Sequence, residues 1–131
     1  MTEKKDITTI EDIRLLVDTF YGKVRADVLI GPIFNRVITD RWPEHLEKMY
    51  RFWQTVLLGK HTYFGSPFPP HARLPVEQKH FDRWLKLWQE TLNELYTGPV
   101  VEEALWRSGK MAVMFLSKIA YYRGSAEKPL V

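Results

Sequence analysis

Apolar residues recur at helical spacing through most of this chain, and prolines and glycines punctuate the runs. Thr9 followed by Asp12 has the form of a helix-start cap, after which Ile10, Ile13, Leu16, Val17, Phe20, Tyr21 and Val24 fall at intervals of three and four. This predicts a first amphipathic helix to about residue 27. Gly31 and Pro32 break it, and the segment from Ile33 to Ile38, carrying Phe34, predicts one or two turns. Pro43 suits the first turn of a further helix that runs to a stop at Gly59, with Leu46, Met49, Phe52, Trp53 and Val56 on its apolar face. Residues 59–75, GKHTYFGSPFPPHARLP, hold four prolines and predict an ordered loop with little regular structure. Helical period returns from Glu77 to Tyr96, with Phe81, Trp84, Leu85, Trp88, Leu92 and Leu95 on one side. After Gly98 a last helix is expected from Pro99 to Tyr122, turning Leu105, Ala112, Phe115, Leu116 and Ile119 inward. From Gly124 onward a frayed tail is expected. No strand alternation of any length appears, and no internal repeat, so the fold class is all-α.

Composition narrows this picture. A chain of 131 residues suits one domain, and 45% hydrophobic with 27% charged residues is the balance of a folding globule. Aromatics reach 14%, a heavy supply of large flat side chains for so short a chain. The absence of Cys excludes disulfides, thiolate metal ligands, iron–sulfur clusters and thioether-linked haem. No apolar run has signal-peptide length or approaches the ~20 residues of a membrane span, so a cytoplasmic location without a membrane partner is expected. The net charge is +3, but 19 basic residues are interspersed with 16 acidic ones, which predicts no nucleic-acid partner.

Two histidines stand out. His45 precedes Met49, Trp53 and Val56 by helical intervals, which puts an imidazole on an apolar face. It is either a core histidine bonded to a carbonyl or a functional group. His71 lies in the proline-rich loop between Pro69–Pro70 and Leu74–Pro75. It is either an exposed loop residue or a metal ligand on a stiff mount, since imidazole suits iron and zinc. His61 and His80 have no comparable context, and the four histidines match no common zinc spacing. Tyr21 and Trp84 fall on inward helix faces, where core packing explains either one and each also brings a polar hydrogen inside. No nucleophile triad and no glycine-rich phosphate loop is present.

Taken together, FYGKVRADVLIGPIFN at Phe20–Asn35, HLEKMYRFW at His45–Trp53, LLGKHTYFGSPFPPHARLP at Leu57–Pro75 and FDRWLKLW at Phe81–Trp88 resemble the group III truncated haemoglobins. The resemblance covers residues 8–122 and rests on the order and spacing of the four segments. It implies a two-over-two helical sandwich around non-covalent haem b, in one truncated-globin domain. By position it implies His71 as the proximal iron ligand, with His45, Tyr21 and Trp84 as distal groups from three helices. It further implies that Phe34 packs on the porphyrin and that Met49, Phe52 and Trp53 line the distal side. Leu74, Phe81, Met111 and Phe115 then pack on the ring edge or proximal face, and Lys48 and Arg73 reach the propionates. The Gly–Gly motifs of other truncated groups are absent, as is typical of group III. Swinging of His45 is therefore the expected ligand gate, rather than an apolar tunnel, and equal carbon monoxide association rates for wild type and His45→Ala would count against it.

The resemblance implies binding of dioxygen and other diatomic ligands at ferrous iron. Donors from Tyr21, His45 or Trp84 to a ligand that gains charge are worth ~1.5–3 kcal/mol each, which favours retention or redox chemistry over transport. The same donors leave peroxidase-like or nitric oxide dioxygenase-like activity open, with dioxygen, carbon monoxide, nitric oxide or peroxide as small ligands and an unidentified electron donor. The alternatives are a dedicated haem enzyme of peroxide or nitrogen-oxide detoxification and a cofactor-free helical interaction module. The nearest acids, Glu77 and Asp82, have no spacing that guarantees contact with His71, so ligand binding ranks above peroxidase activity.

Overall fold

The structure, a computed structural model, describes residues 3–127, with side chains to residue 124. Five α-helices run in the order α1 (Ile10–Ala26), α2 (Gly31–Ile38), α3 (Trp42–Leu58), α4 (Gln78–Leu95) and α5 (Pro99–Glu127). One 3-10 turn, Pro69–His71, interrupts the loop between α3 and α4. The expected helices all form. The last continues beyond Tyr122 to Glu127, because no proline or left-handed residue stops it there; the remainder of the expected frayed tail, residues 128–131, lies outside the described residues.

Local chemistry sets the ends. Thr9 and Asp12 make a reciprocal capping box at the start of α1. Its far end turns a corner fixed by Asp27, whose carboxylate accepts the N–H groups of Leu29 and Ile30 at 3.0 Å and pairs with Arg83 of α4 at 2.7 Å. Gly31 opens α2 directly against α1: a Cβ there would lie 2.9 Å from the carbonyl oxygens of Val24 and Arg25, so a side chain would push the two helices apart. Gly59 closes α3 in the left-handed region, with φ 70°.

Helix α1 packs against α2, α3 and α4, and α5 against α4 and α3. The main core lies between α1, α3 and α4, where Phe20, Trp88, Leu92, Ile13 and Leu16 are almost wholly buried. Phe20 and Trp53 both pack on Trp88, the first edge-on at 5.0 Å and the second stacked at 4.6 Å. A smaller cluster of Phe68, Val76, Phe115 and Ile119 joins the loop to α5, with Leu74 and Phe81 packed on it. The residues before the first cap also belong to the fold. Ile7 is 1% exposed, and the Asp6 carboxylate accepts the N–H groups of Val100 and Val101 at 2.9 and 3.2 Å, capping α5 from the opposite end of the chain. No helix among the described residues is long and apolar enough to cross a membrane.

Candidate functional site

Between the two clusters lies a cavity of about 230 Å³, walled mostly by apolar side chains. Met111 of α5 packs against both clusters and joins the walls.

One wall is the proline loop. Pro69 and Pro70 open the 3-10 turn, and the Phe68 carbonyl accepts the backbone N–H of His71 at 2.7 Å. The His71 ring sits 4.9 Å from that of Phe115 and lines the cavity. Its Nδ1 lies 2.7 Å from the carbonyl oxygen of Pro67. A carbonyl can only accept, so Nδ1 carries the proton and Nε2 keeps a free lone pair, the tautomer a metal requires. Burial lowers the pKa of His71, and the Lys48 ammonium adds to this, while the Pro67 bond opposes both.

The other wall is helical. Tyr21 of α1, His45 of α3 and Trp84 of α4 all line the cavity. The Tyr21 and His45 rings meet edge to face at 5.1 Å, and Trp42 packs on both. Burial raises the pKa of the Tyr21 phenol, which therefore stays protonated, and no described residue hydrogen-bonds to its hydroxyl. His45 is neutral near pH 7, its pKa lowered to about 4 by burial first and then by Lys48 and His71. Its Nε2 is buried and without a hydrogen-bond partner among the described residues, contrary to the core histidine satisfied by a carbonyl. Trp84 stacks on Trp88 at 5.8 Å and meets Phe20 edge-on at 5.3 Å.

Phe34, Met49, Phe52 and Trp53 line the cavity from the main core; Leu74, Phe81 and Phe115 line it from the smaller cluster, and Lys48 stands at the exposed rim. Arg73 does not join them. The N–H of Leu74 returns to the His71 carbonyl at 3.2 Å, and this three-residue turn brings Leu74 to the side of His71 while Arg73 faces solvent. His61 is exposed beside Phe64, away from the cavity.

Several lining residues escaped the sequence reading, among them Ile30, Ile33, Tyr63, Val76, His80 and Ser108. His80 and Ser108 were within reach of helical phase, four residues before Trp84 and three before Met111. Tyr63 lies in the loop, where no period exists to place it.

Helices layered in this way around an apolar cavity, with His71 on the loop wall facing His45 and His80 on the helical wall, define a small, shortened globin. A family model described as bacterial-like globin matches residues 5–116. The chain is 39% identical over 118 residues to the group 3 truncated haemoglobin ctb of Campylobacter jejuni, covering 87% of this chain and 93% of that protein. The crystal structure of group III truncated haemoglobin from Campylobacter jejuni superposes with a TM-score of 0.81 at 38% identity, over 89% of this chain and 95% of that one. Truncated oxygen-avid haemoglobin from Bacillus subtilis superposes with a TM-score of 0.71 at 26% identity, over 82% and 93%. The chain belongs to the bacterial-like globin family and is a truncated globin of the group III kind. Membership implies haem as cofactor and small diatomic ligands such as oxygen.

Proposed function

We propose that the chain, acting as one globin domain, would hold haem b in this cavity through Nε2 of His71 and retain dioxygen or another diatomic ligand among Tyr21, His45 and Trp84. The observation that carries this reading is the 2.7 Å contact between His71 Nδ1 and the Pro67 carbonyl, which leaves Nε2 as a ligand atom inside an apolar cavity. Among the described residues no three His, Asp or Glu side chains converge, so a metal held at His71 has to bring its other ligands, as an iron porphyrin does.

Ferrous haem supplies an open coordination position for a diatomic ligand. The chain's own contribution lies around that position. Tyr21 presents a phenol that burial keeps protonated, His45 a neutral imidazole with an unpartnered Nε2, and Trp84 an indole. Donors held ready in an apolar pocket stabilise a ligand that gains negative charge on binding, and slow its departure. This supports retention or redox chemistry over transport. On the other wall, His71 leans on a neutral carbonyl rather than a carboxylate, so its imidazole gains little electron-donating power. That ranks peroxidase activity below ligand binding. The test is an absorption spectrum of the purified protein supplied with haem. A Soret band in wild type that is lost or shifted in His71→Gly and restored by added imidazole is expected; an unchanged spectrum in His71→Gly overturns the assignment.

A further inference from the structure

His80 is the third residue of α4, half-buried, and is one of the residues that line the cavity. Its Nδ1 accepts the backbone N–H of Glu77 at 2.8 Å, as part of the cap that starts the helix. A ring nitrogen that accepts carries no proton, so in the neutral ring the proton sits on Nε2. The helix start therefore fixes the opposite tautomer from that of His71: of these two histidines, His71 keeps a lone pair on Nε2 and His80 an N–H. Lys48 brings a cationic donor to the same cavity from α3. Most of the remaining lining is apolar, and a carboxylate is costly to bury without partners. We propose that His80, through Nε2–H, adds a second donor to the Lys48 ammonium that the resemblance assigns to the propionates, and so helps to anchor the carboxylates of the porphyrin. This rests on the haem reading above, and it gives His80 a positioning role at the cofactor in addition to its place in the helix cap.

Two substitutions separate those roles. His80→Asn keeps an acceptor at the position of Nδ1 and removes the outer donor, whereas His80→Gln places an amide N–H near the position of Nε2 and gives up the cap. Haem release to an excess of an apo-acceptor globin is measured for both and for wild type, with haem and with its dimethyl ester, whose carboxylates are blocked. A Soret band in wild type first establishes that the cofactor binds; its absence overturns the haem reading and this inference with it. With the band present, haem release about tenfold faster in His80→Asn, near-wild-type release in His80→Gln, and equal release of the diester from all three are expected. Equal haem release from wild type and His80→Asn, or the same difference with the diester, overturns the carboxylate site while leaving haem binding intact.

Discussion

The two walls of the cavity are built by different means. The wall of α1, α3 and α4 is made of helices whose aromatic side chains interlock: Phe20, Trp53, Trp84 and Trp88 form one continuous packed group. The wall that carries His71 has a single 3-10 turn and holds its imidazole by one carbonyl, two prolines and the ring of Phe115. The first wall is fixed by buried area, which costs several kcal/mol to disturb. The second is fixed by restricted backbone and a few directed contacts, which hold a group's orientation without adding much to the stability of the chain. Stability is thus concentrated on one side of the pocket, and the proposed iron ligand stands on the other.

That division can be broken by substitution on each side. The largest effect is expected for His71→Ala, which should abolish haem retention in a release assay while shifting unfolding of the haem-free protein by less than about 1 kcal/mol. A loss of several kcal/mol would show that the loop wall also supports the fold. Phe20→Ala should do the reverse: it empties the aromatic group and destabilises the haem-free protein by about 3–5 kcal/mol in denaturant titration. Tyr21→Phe should leave stability nearly unchanged, because no described residue uses the hydroxyl, and should speed oxygen release about tenfold in stopped-flow displacement. Unaltered release would remove Tyr21 from the ligand's surroundings.

The smallest effect concerns pH. His45 has a folded pKa lowered to about 4, against 6.5 for the free group, so between these values the unfolded chain takes up the proton first. The contribution of neutral His45 to stability is fully present above about pH 6.5 and is lost as pH falls toward 4. Haem-free protein should lose stability across that window, and His45→Leu should flatten the slope in melting curves recorded from pH 7 to 4. An identical slope in the variant would place the titration elsewhere.

Helical phase made much of the first wall legible. Tyr21, Trp53 and Trp84 follow directly from apolar spacing, since a residue three or four positions from a buried neighbour shares its face. Phase also put His45 inside, but could not distinguish a satisfied core imidazole from one with a free nitrogen; that required the absence of a nearby carbonyl. The loop wall was legible only through its resemblance to relatives. Prolines announce stiffness without direction, so only the turn at His71 showed that Leu74 lines the cavity while Arg73 faces solvent. Tyr63 and the Pro67 carbonyl were invisible for the same reason. Asp6 and Ile7 were missed because they precede the first cap, where neither period nor turn chemistry marks a residue as interior.

The placement of Asp6 has a consequence in time. Its carboxylate caps a helix whose first N–H groups lie 94 and 95 positions further along the chain. Ribosomes release the amino terminus first, so this acceptor emerges long before its donors have been synthesised. Contacts of such separation pay their loop-closure entropy late and slow folding. The early helices have the opportunity to pack while the chain is still growing, but the seam between the two ends of the sequence is sewn only when α5 arrives.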